Sequence, residues 1–252
     1  MLRATAIGIS VGARSLCQGL DLEVASGELW AVLGCNGSGK STLLQVLAGV
    51  QPPAAGRIEF EARDIDRYPR RELARSLGLL LQSEPQEYWG TLADYVCLGR
   101  FPHAQGAFGG DAAGGDVVTR SLADFDLTAL AAQPFATLSG GERQRARLAQ
   151  LWAQDTRLLL LDEPQQHLDL RHQQQTMTLI RAATRAGRAV VVVLHDPAYA
   201  AHCDRVLMLH SDGTHLQGSA AEMLQRERLE ALYGCRLTLC GDGTGAHVVP
   251  VI

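Results

Sequence analysis

The chain has 252 residues, 46% of them hydrophobic and 20% charged, enough to bury a sizeable core in one or two compact lobes. A formal charge of -4 and a pI near 6.1 leave no electrostatic footprint for nucleic acid, so no nucleic-acid partner is expected. Apolar runs such as residues 158–161 and 189–194 fall far short of the ~20 residues a membrane-spanning helix needs, and Met1-Leu2-Arg3-Ala4-Thr5 lacks a secretory pattern, so a cytosolic chain is expected.

In chain order, residues 20–24 and 29–33 are apolar and partly alternating around the turn Ala25-Ser26-Gly27-Glu28, and predict two strands. The second runs into Gly34-Cys35-Asn36-Gly37-Ser38-Gly39-Lys40-Ser41-Thr42, a G-x-x-x-x-G-K-[ST] phosphate loop that opens a helix predicted over 42–47. That helix stops near Gly49, with Pro52-Pro53 beyond it. The glycines let the backbone turn tightly so that successive N–H groups face one anion, and the helix N-terminus adds roughly half a positive charge. Lys40 is expected to reach the β- and γ-phosphates and Ser41 to hold Mg²⁺. Gly34, Asn36, Gly37, Ser38, Gly39, Lys40, Ser41 and Thr42 are therefore candidate ATP-binding residues. Of the 23 basic residues, Lys40 is the only lysine; a planar guanidinium is too wide where a point charge must sit between phosphate oxygens.

A strand is predicted over 77–81, ending at Gln82. Residues 91–154 carry alanine, leucine and charged residues at helical spacing and predict a helical insert, within which residues 105–116, with five glycines and three alanines, read as a mobile loop between two helices. Residues 157–162 predict a buried strand that delivers Asp162 and Glu163 to its end. Successive strand residues point to opposite sides, so the two carboxylates have different jobs: Asp162 partners Mg²⁺ and Glu163 polarises an attacking water. A helix over 170–186 and a strand over 189–194 follow. Short apolar strands alternating with helices imply an α/β fold with a mostly parallel sheet. The six cysteines include no C-x-x-C pair and read as reduced thiols, with a metal or disulfide at Cys235 and Cys240 left open. The tail beyond Gly234 is either a small strand pair or a regulatory end.

Leu138-Ser139-Gly140-Gly141-Glu142-Arg143-Gln144 resembles the signature motif of the ABC ATPases. It is another serine and glycine turn entering a helix, able to bind a γ-phosphate. Other motifs fall in the family's order, and the resemblance covers about residues 3–234. It implies a P-loop NTPase (RecA-like) core with a mostly parallel sheet, an antiparallel β portion at the N-terminus and an inserted α-helical subdomain. It also implies one domain over 1–252, with a core lobe of 1–86 and 155–252 and a signature-bearing helical subdomain of 87–154. By resemblance Ser139, Gly140 and Gly141 bind the ATP held by the opposite subunit of a homodimer. Gln82 touches Mg²⁺ and water and couples to the membrane subunit, Asp169 bridges the two sites, and His195 contacts the γ-phosphate. Two departures stand out. Val11 occupies the position where the family stacks an aromatic ring on adenine, a loss of about 0.5–1.5 kcal/mol, and Gln165-Gln166-His167 replaces smaller residues before Leu168.

Leu98-Gly99-Arg100-Phe101-Pro102-His103 and Leu168-Asp169-Leu170-Arg171-His172-Gln173 resemble the ATPases of importers for ferric siderophores, haem and cobalamin, with cobalamin placed first. That resemblance implies ATP and Mg²⁺ as cofactors and integral membrane permease subunits as partners, with a periplasmic or extracellular substrate-binding protein. It implies a peripheral position on the cytoplasmic side of the cell membrane. In Glu87-Tyr88-Trp89-Gly90, Tyr88 and Trp89 are candidate permease contacts, because aromatics are enriched at interface hot spots. The alternative is a soluble ABC ATPase such as an iron–sulphur cluster assembly ATPase.

Overall fold

The computed structural model describes residues 1–12, 14–82, 88–104, 114–240 and 247–250. The chain opens with β1 (Leu2–Val11) and β2 (Arg14–Val24), then β3 (Leu29–Gly34), α1 (Lys40–Leu47), β4 (Ala55–Phe60), β5 (Arg63–Asp64), α2 (Arg70–Ala74) and β6 (Leu77–Leu80). Next come α3 (Leu92–Cys97), a 3₁₀ segment Leu98–His103, α4 (Gly114–Asp124) and α5 (Gly140–Ala153). The remainder is β7 (Leu158–Asp162), α6 (Leu170–Arg185), β8 (Ala189–Val193), α7 (Pro197–Ala200), β9 (Arg205–Leu209), β10 (His215–Ser219), α8 (Ala220–Met223), α9 (Arg226–Tyr233), β11 (Leu237–Cys240) and β12 (His247–Pro250).

A six-stranded sheet in the order β10-β9-β3-β8-β7-β6 forms the centre. Its pairs are parallel except β10 with β9. Every residue of β3, β7 and β8 is buried, which is why these strands read as unbroken apolar runs: both faces are covered. On β3 the faces divide cleanly. Trp30 and Val32 join the core under the N-terminal sheet and α1, while Leu29, Ala31 and Leu33 join the core shared with the helical insert. The N-terminal sheet, β2-β1-β4-β5, is antiparallel. From Leu20 to the end of β2, buried and exposed residues alternate strictly, as expected for a sheet packed on one face.

One element was missed, one expectation needs correction, and one open alternative is resolved. β1 was not foreseen, because its alternation is broken: the register with β2 shifts between Ala4 and Ile7, and Ala6 has φ of 50°, with its freed N–H donating to Asp21 Oδ1 at 2.8 Å. The loop expected over 105–116 ends earlier, since α4 begins at Gly114; the rest of it, like Glu87, lies outside the described residues. The tail forms a strand pair, β11 with β12.

Leu98–His103 packs differently from a simple docking helix. A Cβ on Gly99 would lie 2.1 Å from the Gln150 carbonyl oxygen, so glycine is what lets this segment touch α5. Arg100 donates to the Ala153 carbonyl at 2.9 Å and His103 Nε2 lies 2.8 Å from the Gln154 carbonyl, so both serve the unpaired C-terminal end of α5. Arg71 and Arg75 donate to the Pro102 carbonyl at 3.1 and 2.8 Å, joining the insert to α2. Only Leu98 and Phe101 of this string face outward as large apolar groups, Phe101 at 73% exposure.

Candidate nucleotide site

The phosphate loop starts where β3 ends. Gly34 has no room for a side chain, as a Cβ would meet the Leu209 carbonyl and Ser38 Oγ at 2.5 Å, and Gly37 and Gly39 turn the chain with φ of 76° and 100°. Lys40, the first residue of α1, folds back so that Nζ donates to the Gly34 and Cys35 carbonyls at 2.8 and 3.1 Å. Burial lowers its pKa, against the pull of Glu163 and Asp162. Ser38 Oγ is buried with no partner. The loop thus holds one desolvated cation turned back on its own carbonyls and one orphaned hydroxyl, a cradle suited to an anion.

β7 ends at Asp162, and Glu163 leaves the strand with φ of 50°. The two carboxylates therefore separate through a left-handed backbone step and not through strand alternation, the reason given from the sequence. Such a conformation costs about 1–3 kcal/mol and has to be held by its surroundings. Glu163 is held on both oxygens: Gln82 Nε2 donates to Oε2 at 3.0 Å, and His195 Nε2 lies 2.6 Å from Oε1. Asp162 is 1% exposed, with neither oxygen making a well-formed hydrogen bond. Burial raises its pKa and Glu163 adds to the rise, while the nearby Ser41 hydroxyl, Lys40 and the Gln82 backbone oppose it. An unsatisfied buried carboxylate beside the Ser41 hydroxyl is an oxygen donor set suited to a hydrated Mg²⁺.

Lys40, Ser41, Gln82, Glu163 and His195 line one cleft of about 560 Å³ together with Asn36, Gly37, Gly39 and Thr42 of the phosphate loop and with Val11, Arg14 and Leu16, while Ser38 and Asp162 lie buried behind it. Val11 is 56% exposed and lies in the cleft where an aromatic is usual, and no aromatic side chain is among the lining residues. Three lining residues were not assigned to the site from the sequence: Arg14, whose Nη2 donates to the distant Ser211 carbonyl at 3.3 Å, Leu16 beside it, and Gln166, which follows the Glu163 turn. Arg14 and Leu16 have no local motif, and Gln166 stood out in the sequence only as a departure before Leu168. Gln144 and Arg147 were missed as well: on α5, Gln144 donates to the Pro164 carbonyl at 3.2 Å and Arg147 donates to the Leu81 carbonyl, fastening the helix to the segments carrying Glu163 and Gln82.

Ser139, Gly140 and Gly141 are not in this cleft. Ser139 caps α5 in a reciprocal box with Glu142, whose pKa the Ser139 hydroxyl and N–H hold down, and Gly140 has open space around it. Gly141 lies against His167, whose carbonyl oxygen would be 3.1 Å from a Cβ there. Asp169 caps α6 and is largely exposed, accepting from the His172 N–H at 2.9 Å, which lowers its pKa. Tyr88 is partly buried, its ring packed edge-on against Tyr95 and Phe135 at 5.4 and 5.8 Å, whereas Trp89 is 96% exposed. Among the described residues no helix is long and apolar enough to cross a membrane.

A family model described as ABC transporter matches residues 17–166. The hemin import ATP-binding protein HmuV of Pseudomonas aeruginosa is 39% identical over 240 residues, covering 93% of this chain and 92% of the relative. The protein of the same name from Streptomyces coelicolor is 41% identical over 233 residues, covering 91% and 82%. Among solved structures, an inward-facing metal-chelate type ABC transporter aligns over 100% of this chain and 97% of its own, with a TM-score of 0.85 and 29% identity. This chain, which carries a phosphate loop, an acidic strand end braced by glutamine and histidine, and a capped serine–glycine helix start, is thus alike along nearly its whole length to these relatives, and it belongs to the ABC transporter family as its ATP-hydrolysing domain.

Proposed function

We propose that this chain is the ATPase subunit of an importer for a metal chelate, working as a head-to-tail homodimer beneath a membrane permease. The observation that carries the dimer is the separation within one chain of Ser139, Gly140 and Gly141 from the cleft holding Lys40 and Glu163. A second copy supplies the missing γ-phosphate donors. In each site Gly34, Asn36, Gly37, Ser38, Gly39, Lys40, Ser41 and Thr42 hold ATP, and the partner's signature turn closes over it. Asp169, exposed at the start of α6, reaches between the sites.

Ser41, Asp162 and Gln82 are the residues that would hold Mg²⁺, which would supply charge neutralisation for the phosphates. Glu163, held in place by Gln82 and His195, orients and deprotonates the attacking water. His195, 53% exposed at its side chain, is free to turn from Glu163 to the γ-phosphate. Closing and opening of the dimer then drive two states of the pore. We take residues 1–252 as one domain, with 87–154 as the helical subdomain that follows nucleotide state.

The names of the relatives favour import over the assembly-ATPase alternative and put haem ahead of cobalamin and ferric siderophores. Trp89 and Phe101, both on the insert and both exposed, are the permease contacts we favour; Tyr88 serves the aromatic core beneath them. A substrate-binding protein outside the membrane and a peripheral cytoplasmic position complete the reading. The test is reconstitution with the permease in vesicles and measurement of hemin uptake. Changing Trp89 and Phe101 together to alanine is expected to lower uptake by about 10-fold or more, as for interface anchors worth 2 kcal/mol or above, with ATP turnover of the isolated subunit unchanged. Unchanged uptake would remove these aromatics from the interface, and no hemin uptake by the unaltered complex would remove haem as the cargo.

A further inference from the structure

ATP brings three chemistries to the nucleotide cleft: a chain of anions, a reacting γ-phosphate, and a flat purine with apolar faces. The phosphate loop serves the first, and Gln82, Glu163 and His195 serve the second. Gln166 belongs with the reacting end, since its N–H donates to the Glu163 carbonyl at 3.1 Å. The lining residues left for the purine are Val11, Arg14 and Leu16. None of them is aromatic, and Leu16, 7% exposed, offers little surface. Arg14 is the one flat group of the three.

Val11 and Arg14 are the last opposed pair of β1 and β2, so their side chains leave the hairpin on one face. The guanidinium reaches the phosphate loop, where Nη1 lies 4.0 Å from the place a Cβ on Gly37 would occupy. Nη2 donates to the Ser211 carbonyl at 3.3 Å, which pins one edge of the plane while the residue as a whole stays exposed. Among the described residues Arg14 makes no ion pair, and that carbonyl is its one hydrogen-bond partner. We propose that the purine of the bound nucleotide stacks on the Arg14 guanidinium, with Val11 as the apolar contact beside it.

A guanidinium is planar, delocalised and weakly hydrated, so it lies flat on a base where a compact ammonium cannot. The bond to Ser211 holds the plane ready before the base arrives. Stacking uses the face of a base and not its edge, and neither Val11 nor Leu16 carries a polar side-chain group to read that edge. The site therefore takes purine nucleoside triphosphates as a class. This rests on the phosphate loop holding the triphosphate, and needs neither the dimer nor the importer reading.

Calorimetric titration in EDTA, where no nucleotide is consumed, tests this with ATP, GTP and inorganic tripolyphosphate as ligands. Arg14→Lys keeps the charge and removes the plane. ATP and GTP should each bind it about 3–10-fold more weakly than the unaltered chain, while tripolyphosphate binds as before. Arg14→Ala should lose at least as much for ATP, and adding Val11→Tyr should bring the affinity back to within about 2-fold, because a ring at the paired position offers the same face. Equal losses for ATP and tripolyphosphate in Arg14→Lys would make Arg14 a phosphate contact or a support for the loop, and overturn the proposal. Undiminished ATP affinity in Arg14→Lys would leave charge as its only use, with the same result. A loss for ATP with none for GTP would mean that the base edge is read, and stacking would be wrong. Lys40→Ala should weaken all three ligands; if it weakened none while the Arg14 variants behaved as expected, the reading of the phosphate loop alone would fall.

Discussion

Glu163→Gln is expected to lower ATP turnover by about 10²–10⁴-fold, the usual worth of a positioned general base, while leaving ATP affinity within a few-fold of the unaltered chain. Glutamine keeps the shape and can still accept from Gln82 Nε2 where Oε2 now does, at 3.0 Å. It lacks the charge that draws a proton from water, and the 2.6 Å contact of His195 loses its carboxylate partner. Steady-state phosphate release gives the turnover, and a fluorescent ATP analogue gives the affinity. Because the closed dimer is resolved by hydrolysis, this variant should also elute as an ATP-dependent dimer in size-exclusion chromatography while the unaltered chain stays monomeric. A fall of less than 10-fold would remove Glu163 as the base. A large fall accompanied by lost affinity would instead mean that the φ of 50° at this position had relaxed and carried the cleft with it.

Lys40→Ala separates binding from folding. Truncating one member of a desolvated charge pair typically costs about 2–5 kcal/mol of affinity, so ATP binding should weaken by two orders of magnitude or more, and the rise in melting temperature that saturating ATP gives the unaltered chain should vanish. The fold should not suffer. Burial depresses the Lys40 pKa in the folded state below its unfolded value. For a base, that sign means the charged form opposes folding, the penalty being full at neutral pH and relieved only as pH rises through the depressed folded value. Removing the ammonium removes the penalty along with two hydrogen bonds to loop carbonyls, so the melting temperature without nucleotide should move little. Differential scanning calorimetry with and without ATP checks both halves, and a large fall without ATP would show that the ammonium supports the loop itself.

Legibility in the sequence followed how locally each group is determined. Residues 34–42 and the run Leu158 to Glu163 could be read directly because a phosphate cradle and a doubly covered strand are built from consecutive residues. β1 could not, since its bulges interrupt the period on which strand recognition depends. Arg14, Gln144 and Arg147 act through carbonyls 197, 20 and 66 residues away, which no window along the chain can reveal. The string Leu98–His103 was visible but its role was not: Gly99, Arg100 and His103 turn inward to α5, leaving Phe101 to face out.

The seclusion of Lys40 also makes the chain its own reporter. A lysine-specific endoprotease has one peptide bond to cut, between Lys40 and Ser41, and that bond lies at the start of α1 with the side chain 6% exposed. Cleavage therefore waits for the phosphate loop to open, and its rate counts the openings. Cleavage slows in proportion to the fraction of chains left without nucleotide, so a gel showing two fragments becomes a readout of how tightly the loop is held.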